Sequence, residues 1–128
     1  MNPEPFWLSA VHILPIHSML IARFGGSDGV RDNRAMEAAL GRPKNLFHSE
    51  DPDIYSLAAS YAFGLVVNLP FIDGNKRIGS MAAYTFLGMN GHTLTASEEE
   101  AVIYTLGLAA REVEESAYAD WLRQNCDG

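Results

Sequence analysis

The chain has 128 residues, 48% of them apolar and 20% charged, with a formal net charge of -7. That size and balance suit one compact domain, spanning residues 1–128, and exclude a disordered or fibrous chain. The acidic excess argues against direct nucleic-acid binding, which needs cations to neutralise phosphates.

The excess is uneven. Residues 97–128 carry eight acids against Arg111 and Arg123, so residues 1–96 are close to neutral. The plain reading is an acidic, solvated C-terminal face. Cys126 is the single cysteine, which rules out an intrachain disulfide and fits a reducing, cytoplasmic location. The first ten residues lack the basic and apolar regions of a signal peptide. No apolar run reaches the ~18 residues expected of a membrane span.

In chain order, Ser9 caps a first helix that runs to about Arg23 and ends at Gly25-Gly26. Pro15 within it removes a backbone donor and is expected to kink it or split off its first turn. Residues 25–31 read as a flexible loop. Asp32 caps a second helix through Leu40, ended by Gly41 and Pro43, and residues 42–51 follow as a loop. Asp51 caps the third helix, with Pro52 at the favoured first position. That helix, through YSLAASYAFGLVVN, is apolar on most faces and belongs at the centre of the fold. A fourth spans about Asn75 to Met89. Ser97 starts a fifth that runs to about Arg111, and a sixth covers about Ser116 to Asn125. Short extended pieces near Pro5 and His92 are the only strand signals. The sum is an all-α bundle of about six helices.

One segment carries chemistry: NLPFIDGNKRIG, residues 68–79. A loop with an acid and a glycine runs directly into a helix. The first amides of a helix have no internal partner, and its dipole adds positive potential there. Such an end holds phosphate oxygens. Gly74 permits turn geometry and a close backbone approach. Asn75 can cap the helix or donate to an oxygen. Lys76 and Arg77 place two cations at the end of a helix where positive charge is unfavourable, which an anion would explain. Asp73 is the kind of hard oxygen ligand that magnesium uses beside substrate phosphates. The bland alternative is an ordinary Asp-Gly-Asn turn followed by surface cations. Neither a GxxxxGK loop nor a GxGxxG fingerprint occurs.

The string resembles the motif of the Fic/Doc (death-on-curing) family, roughly HPFxDGN followed by glycine or lysine and then arginine. Pro70, Phe71, Asp73, Gly74, Asn75, Lys76 and Arg77 match it. GVRDNRAMEAALGRPKNLF, LAASYAFGLVVN and LTASEEEAV resemble the flanking segments of Doc-like toxins, so the resemblance covers most of the chain.

The resemblance implies a small helical bundle that uses ATP and magnesium to modify a hydroxyl of a target protein. Asp73 would bind the metal. The amides after Gly74, with Asn75, would cradle phosphate, and Arg77 would pair with a terminal phosphate. Phe71 would anchor the loop. Lysine at position 76, where AMP-transferring members have glycine, favours transfer of the terminal phosphate, a protein kinase reaction. The implied target is elongation factor Tu, whose modification stops translation. Loop 42–51 would form a flap, with Arg42, Lys44, Asn45 and His48 toward target or nucleotide; a plain surface loop is the other reading. No self-inhibiting Ser/Thr-xxx-Glu motif is found, so restraint would come from a separate antitoxin protein.

Leu69 stands where the family has its catalytic histidine. Leucine accepts no proton, and general-base help is worth ~10²–10⁴ in rate. The chain as written is therefore expected to be catalytically dead or nearly so, whether by deliberate inactivation or as a natural pseudoenzyme. The other histidines, His12, His17, His48 and His92, read as ordinary surface or partly buried residues. The competing functions are AMP transfer and non-catalytic binding of nucleotide or antitoxin.

Overall fold

Helix α3 (Ile54–Asn68) is apolar around its circumference, and the computed structural model, which describes residues 3–127, buries it accordingly. Residues Leu57, Leu65 and Val66 and the small side chains between them are shielded on all sides. Around it pack α1 (Ala10–Phe24), α2 (Asn33–Glu50), α4 (Asn75–Met89), α5 (Glu98–Ala109) and α6 (Glu115–Gln124). The described residues thus form an all-helical bundle. Its one sheet is a short antiparallel ribbon, β1 (Thr93–Leu94) against β2 (Cys126–Asp127), that ties the chain's end to the connection after α4. No helix among the described residues is long and apolar enough to cross a membrane.

Several helix ends follow local chemistry. Asp32 accepts from the Arg34 and Ala35 amides, and Ser97 from the Glu100 amide, each satisfying orphan donors of a first turn. Glu98, Glu99 and Glu100 fill the first turn of α5, at the positive end of its dipole.

Three expectations need correction. Pro15 does not split α1, which is continuous from Ala10. The residue whose carbonyl loses its partner, Val11, is exposed, so that carbonyl is not left unpaired in the core. The third helix is capped by Asp53, not Asp51; the Ser56 amide donates to Asp53 at 2.9 Å. Burial would raise the Asp53 carboxyl, but the Ser56 amide and the Arg123 guanidinium outweigh it and hold the acid below its ordinary value.

The largest difference is α2. Gly41 and Pro43 do not end it, and it runs on through Glu50. Arg42 explains the continuation. Its guanidinium makes a forked pair with Glu115 at 2.6 and 2.7 Å, bonds Ser60 Oγ at 2.9 Å and lies 4.6 Å over the Phe63 ring. Pro43 is buried, and Phe47 packs edge-on against Trp7. Tertiary contacts therefore override the local stop, which costs about 1 kcal/mol for a helical glycine and about 3 kcal/mol for a helical proline. Residues 42–50 form no flap loop. Arg42 is occupied as a structural tie, while Lys44, Asn45 and His48 lie on the exposed side of a helix.

Helix α4 meets α3 at Gly79. A Cβ there would lie 2.6 Å from Val66 Cγ1 and 3.3 Å from the Ala62 carbonyl oxygen. This close crossing, with Ile78, Ala82 and Phe86 buried beside it, sets where α4 begins relative to the end of α3.

Candidate phosphate site at the start of helix α4

The short loop between α3 and α4 is held on three sides. At its entry, Leu69 adopts a left-handed conformation (φ 52°, ψ 54°) that ends α3 and leaves its side chain half-exposed. Along its length, residues 29–32 pair with it. The Arg31 and Asp32 amides donate to the Pro70 carbonyl at 2.8 and 3.0 Å, and the Ile72 amide donates to the Gly29 carbonyl at 3.1 Å. From beneath, Phe71 is buried and stacks on His17 with ring centroids 3.7 Å apart.

Asn75 closes the loop from inside. Its Oδ1 accepts from the Phe71 amide and its Nδ2 donates to the Phe71 carbonyl, both at 3.0 Å. The side chain expected to cap the helix or face an anion is thus committed to the loop's own backbone. Asp73 keeps an exposed carboxylate. Its Oδ2 accepts from the Ser27 amide at 2.8 Å, where the loop after α1 wraps close. Gly26 (φ 111°) makes that approach possible, since a Cβ there would meet Asp73 Cβ at 3.1 Å.

Gly74 is the N-cap of α4 in a left-handed conformation, and no side chain caps the helix. The first turn holds no acid. It holds Lys76, which is exposed, and Arg77, whose guanidinium lies 3.7 Å over the Phe24 ring. Among the described residues Arg77 has no acidic partner. Phe24, Gly25, Gly26, Asp73, Gly74 and Arg77 line a cavity of about 320 Å³ over these amides. On the other side of Lys76 a larger, apolar cavity of about 670 Å³ runs past Leu69, Val67, Ile103 and Leu106 to Arg111. Lys76 lines both.

The fold therefore gathers Leu69, Asp73, Gly74, Asn75, Lys76 and Arg77 into one place. Arg42 is turned into its Glu115 pair, and Lys44, Asn45 and His48 line neither cavity. The segment that does border the motif is 25–32. Its glycines at 26 and 29, both at positive φ and both close against the motif loop, are the sequence signal of that approach. His17 is neither a surface nor a partly buried histidine. It shares a face with Ile13, Leu20 and Ile21, is 1% exposed, and bonds the Asp73 carbonyl through Nε2 at 2.7 Å.

The donor set fits an anion with a single shared cation. The described residues contain no group of three or more His, Cys, Asp or Glu that could cage a metal. Asp73, an exposed carboxylate beside the uncapped start of α4, is the residue that would hold such a cation, a hard ion that takes oxygen ligands.

Residues 7–87 match the Fic/DOC family, a span that includes α1 to α3, the whole motif loop and all but the last two residues of α4. The chain is 32% identical over 118 residues to the "Protein kinase doc" of Escherichia phage P1, covering 91% of this chain and 93% of that protein. It is 40% identical over 75 residues to the "Toxin Doc" of Mycolicibacterium smegmatis, covering 57% of this chain and 58% of the relative. With the motif loop, the helix it opens and more than half of the chain matching together, this protein belongs to the Fic/DOC family.

Proposed function

We propose that this chain is a Doc-like toxin whose site holds ATP with its terminal phosphates over the first turn of α4, and that Leu69 silences its kinase chemistry. The observation that carries the reading is Arg77: a guanidinium with no acidic partner among the described residues, stacked on Phe24 and lining a cavity with the uncapped first turn of α4. An anion there would satisfy the amides, the dipole and both cations at once.

In this reading Asp73 holds a magnesium ion, which when bound neutralises phosphate charge. Gly74 leaves the backbone open to phosphate oxygens, and the amides of residues 75–77 receive them. Arg77 pairs with the terminal phosphate. Asn75 acts indirectly, by holding Phe71 and hence the loop. Phosphoryl transfer depends mainly on positioning and charge neutralisation, so this small site suffices for binding. What it lacks is the base. The side chain at position 69 reaches solvent beside Lys76, where an acceptor hydroxyl would come, and leucine cannot take its proton. The partners are a target protein, with elongation factor Tu the leading one by resemblance, and an antitoxin. The exposed Val11, Met19 and Ile103 offer an antitoxin apolar surface to cover.

The test is to restore the base with Leu69→His and follow labelled ATP in a bacterial translation extract. Label from the γ-phosphate on a protein is the expected result. Label from the α-phosphate would instead establish AMP transfer. Absence of both, with growth unaffected, would mark a non-catalytic binding protein. Calorimetry on the unaltered chain should detect magnesium-ATP, with the heat lost in Arg77→Ala.

A further inference from the structure

We propose that Arg31 is the positioning residue of the catalytic corner: its guanidinium clamps the left-handed turn at position 69 and so aims that side chain at the acceptor. The inference rests on the kinase reading above for its functional half, and on geometry alone for its structural half.

The Arg31 Nε–H donates to the Leu69 carbonyl at 2.7 Å, and an Nη2–H donates to the Asn68 carbonyl at 3.0 Å. These are the last carbonyl of α3 and that of its C-cap residue, at the negative end of the helix dipole, where a cation is favoured. A fork of two bonds to successive carbonyls fixes both peptide planes, which a lysine ammonium could not do. The same residue's amide, with that of Asp32, holds the Pro70 carbonyl. Arg31 therefore binds three consecutive carbonyls, those of residues 68, 69 and 70, across the corner.

That corner needs holding. Leu69 is a γ-branched residue at φ 52°, a conformation that disfavours any side chain other than glycine or asparagine. It is half-exposed, so packing of its own side chain contributes little to keeping it there. If the peptide planes relax, the side chain at 69 turns away from Lys76 and the α4 amides. Arg31 itself is exposed and touches neither cavity, so its replacement leaves the core and the phosphate cradle intact.

The experiment has two arms. In the unaltered Leu69 chain, Arg31→Ala should speed amide hydrogen exchange at Asp32 and Ile72 by about tenfold or more, while amides in the middle of α3 stay unchanged. In a Leu69→His background, Arg31→Ala should lower kcat by about 10–100-fold, the scale of a small misplacement of a reacting group. KM for ATP should stay the same, and Arg31→Lys should recover part of kcat. Unchanged exchange at Asp32 and Ile72 overturns the clamp, and so does an unchanged kcat. If Leu69→His transfers no phosphate at all, the kinase reading fails, and the exchange arm alone decides the clamp.

Discussion

His17 Nε2 and the Asp73 carbonyl oxygen are 2.7 Å apart, which ties the first helix to the loop bearing the candidate metal ligand. A carbonyl oxygen only accepts, so Nε2 carries the proton. The imidazole is 1% exposed and lies flat against Phe71. His17→Ala would remove the bond and leave a void under the loop. Stability should fall by about 2–4 kcal/mol, read from urea denaturation. A loss below about 0.5 kcal/mol would mean that the loop stands without this support.

Asn75 separates a loop-closing role from direct phosphate binding. Its amide spans both backbone groups of Phe71. Asn75→Ala should cost about 1–3 kcal/mol in the absence of nucleotide, because a part-buried backbone pair loses its partners. A side chain kept free for phosphate would be replaced with no such cost, so equal melting curves without ATP would refute the assignment.

Gly79 marks where α3 and α4 touch. In Gly79→Ala the new methyl would sit 2.6 Å from Val66 Cγ1, and a β-branched valine on a helix has little freedom to move. Destabilisation of about 1–3 kcal/mol is expected. Combining it with Val66→Ala should give less than the sum of the two single losses, since the clash is gone. Strict additivity in a double-mutant cycle would contradict the contact.

Two buried phenols make the fold sensitive to alkali. Burial pushes Tyr61 and Tyr118 up from 10.0 to about 12, against smaller opposing effects from bonds to Leu8 and Thr105. Each folded value lies above the unfolded one, so the folded state holds its proton longer. The stabilising contribution is complete below about pH 10 and drains away as pH rises toward about 12. Thermal melts across that window should show a steep fall, and Tyr118→Phe should flatten it. A melting temperature flat from pH 9 to 12 would exclude the effect.

The order of helices and the place of the chemical motif were legible in the residues alone, because both depend on short-range rules. Apolar spacing marks α3 as central, Ser9, Asp32 and Ser97 announce helix starts, and Asp73 to Arg77 put an acid, a glycine and two cations at a helix opening. Leucine at position 69 is likewise a fact of sequence. Tertiary structure alone decided what these groups touch. Arg42 carries α2 past a glycine and a proline because Glu115, 73 residues away, receives it. Asn75 turns inward to Phe71, and His17 supports the Asp73 loop from 56 residues away. Arg31 reaches the end of α3 across 38 residues of chain. Local propensity is worth a few tenths of a kcal/mol for most residues and about 1–3 kcal/mol for glycine and proline, whereas each of these contacts joins distant segments that only the closed bundle brings together. Periodicity and capping thus identify the elements, and the partner of each functional side chain emerges only when the core has formed.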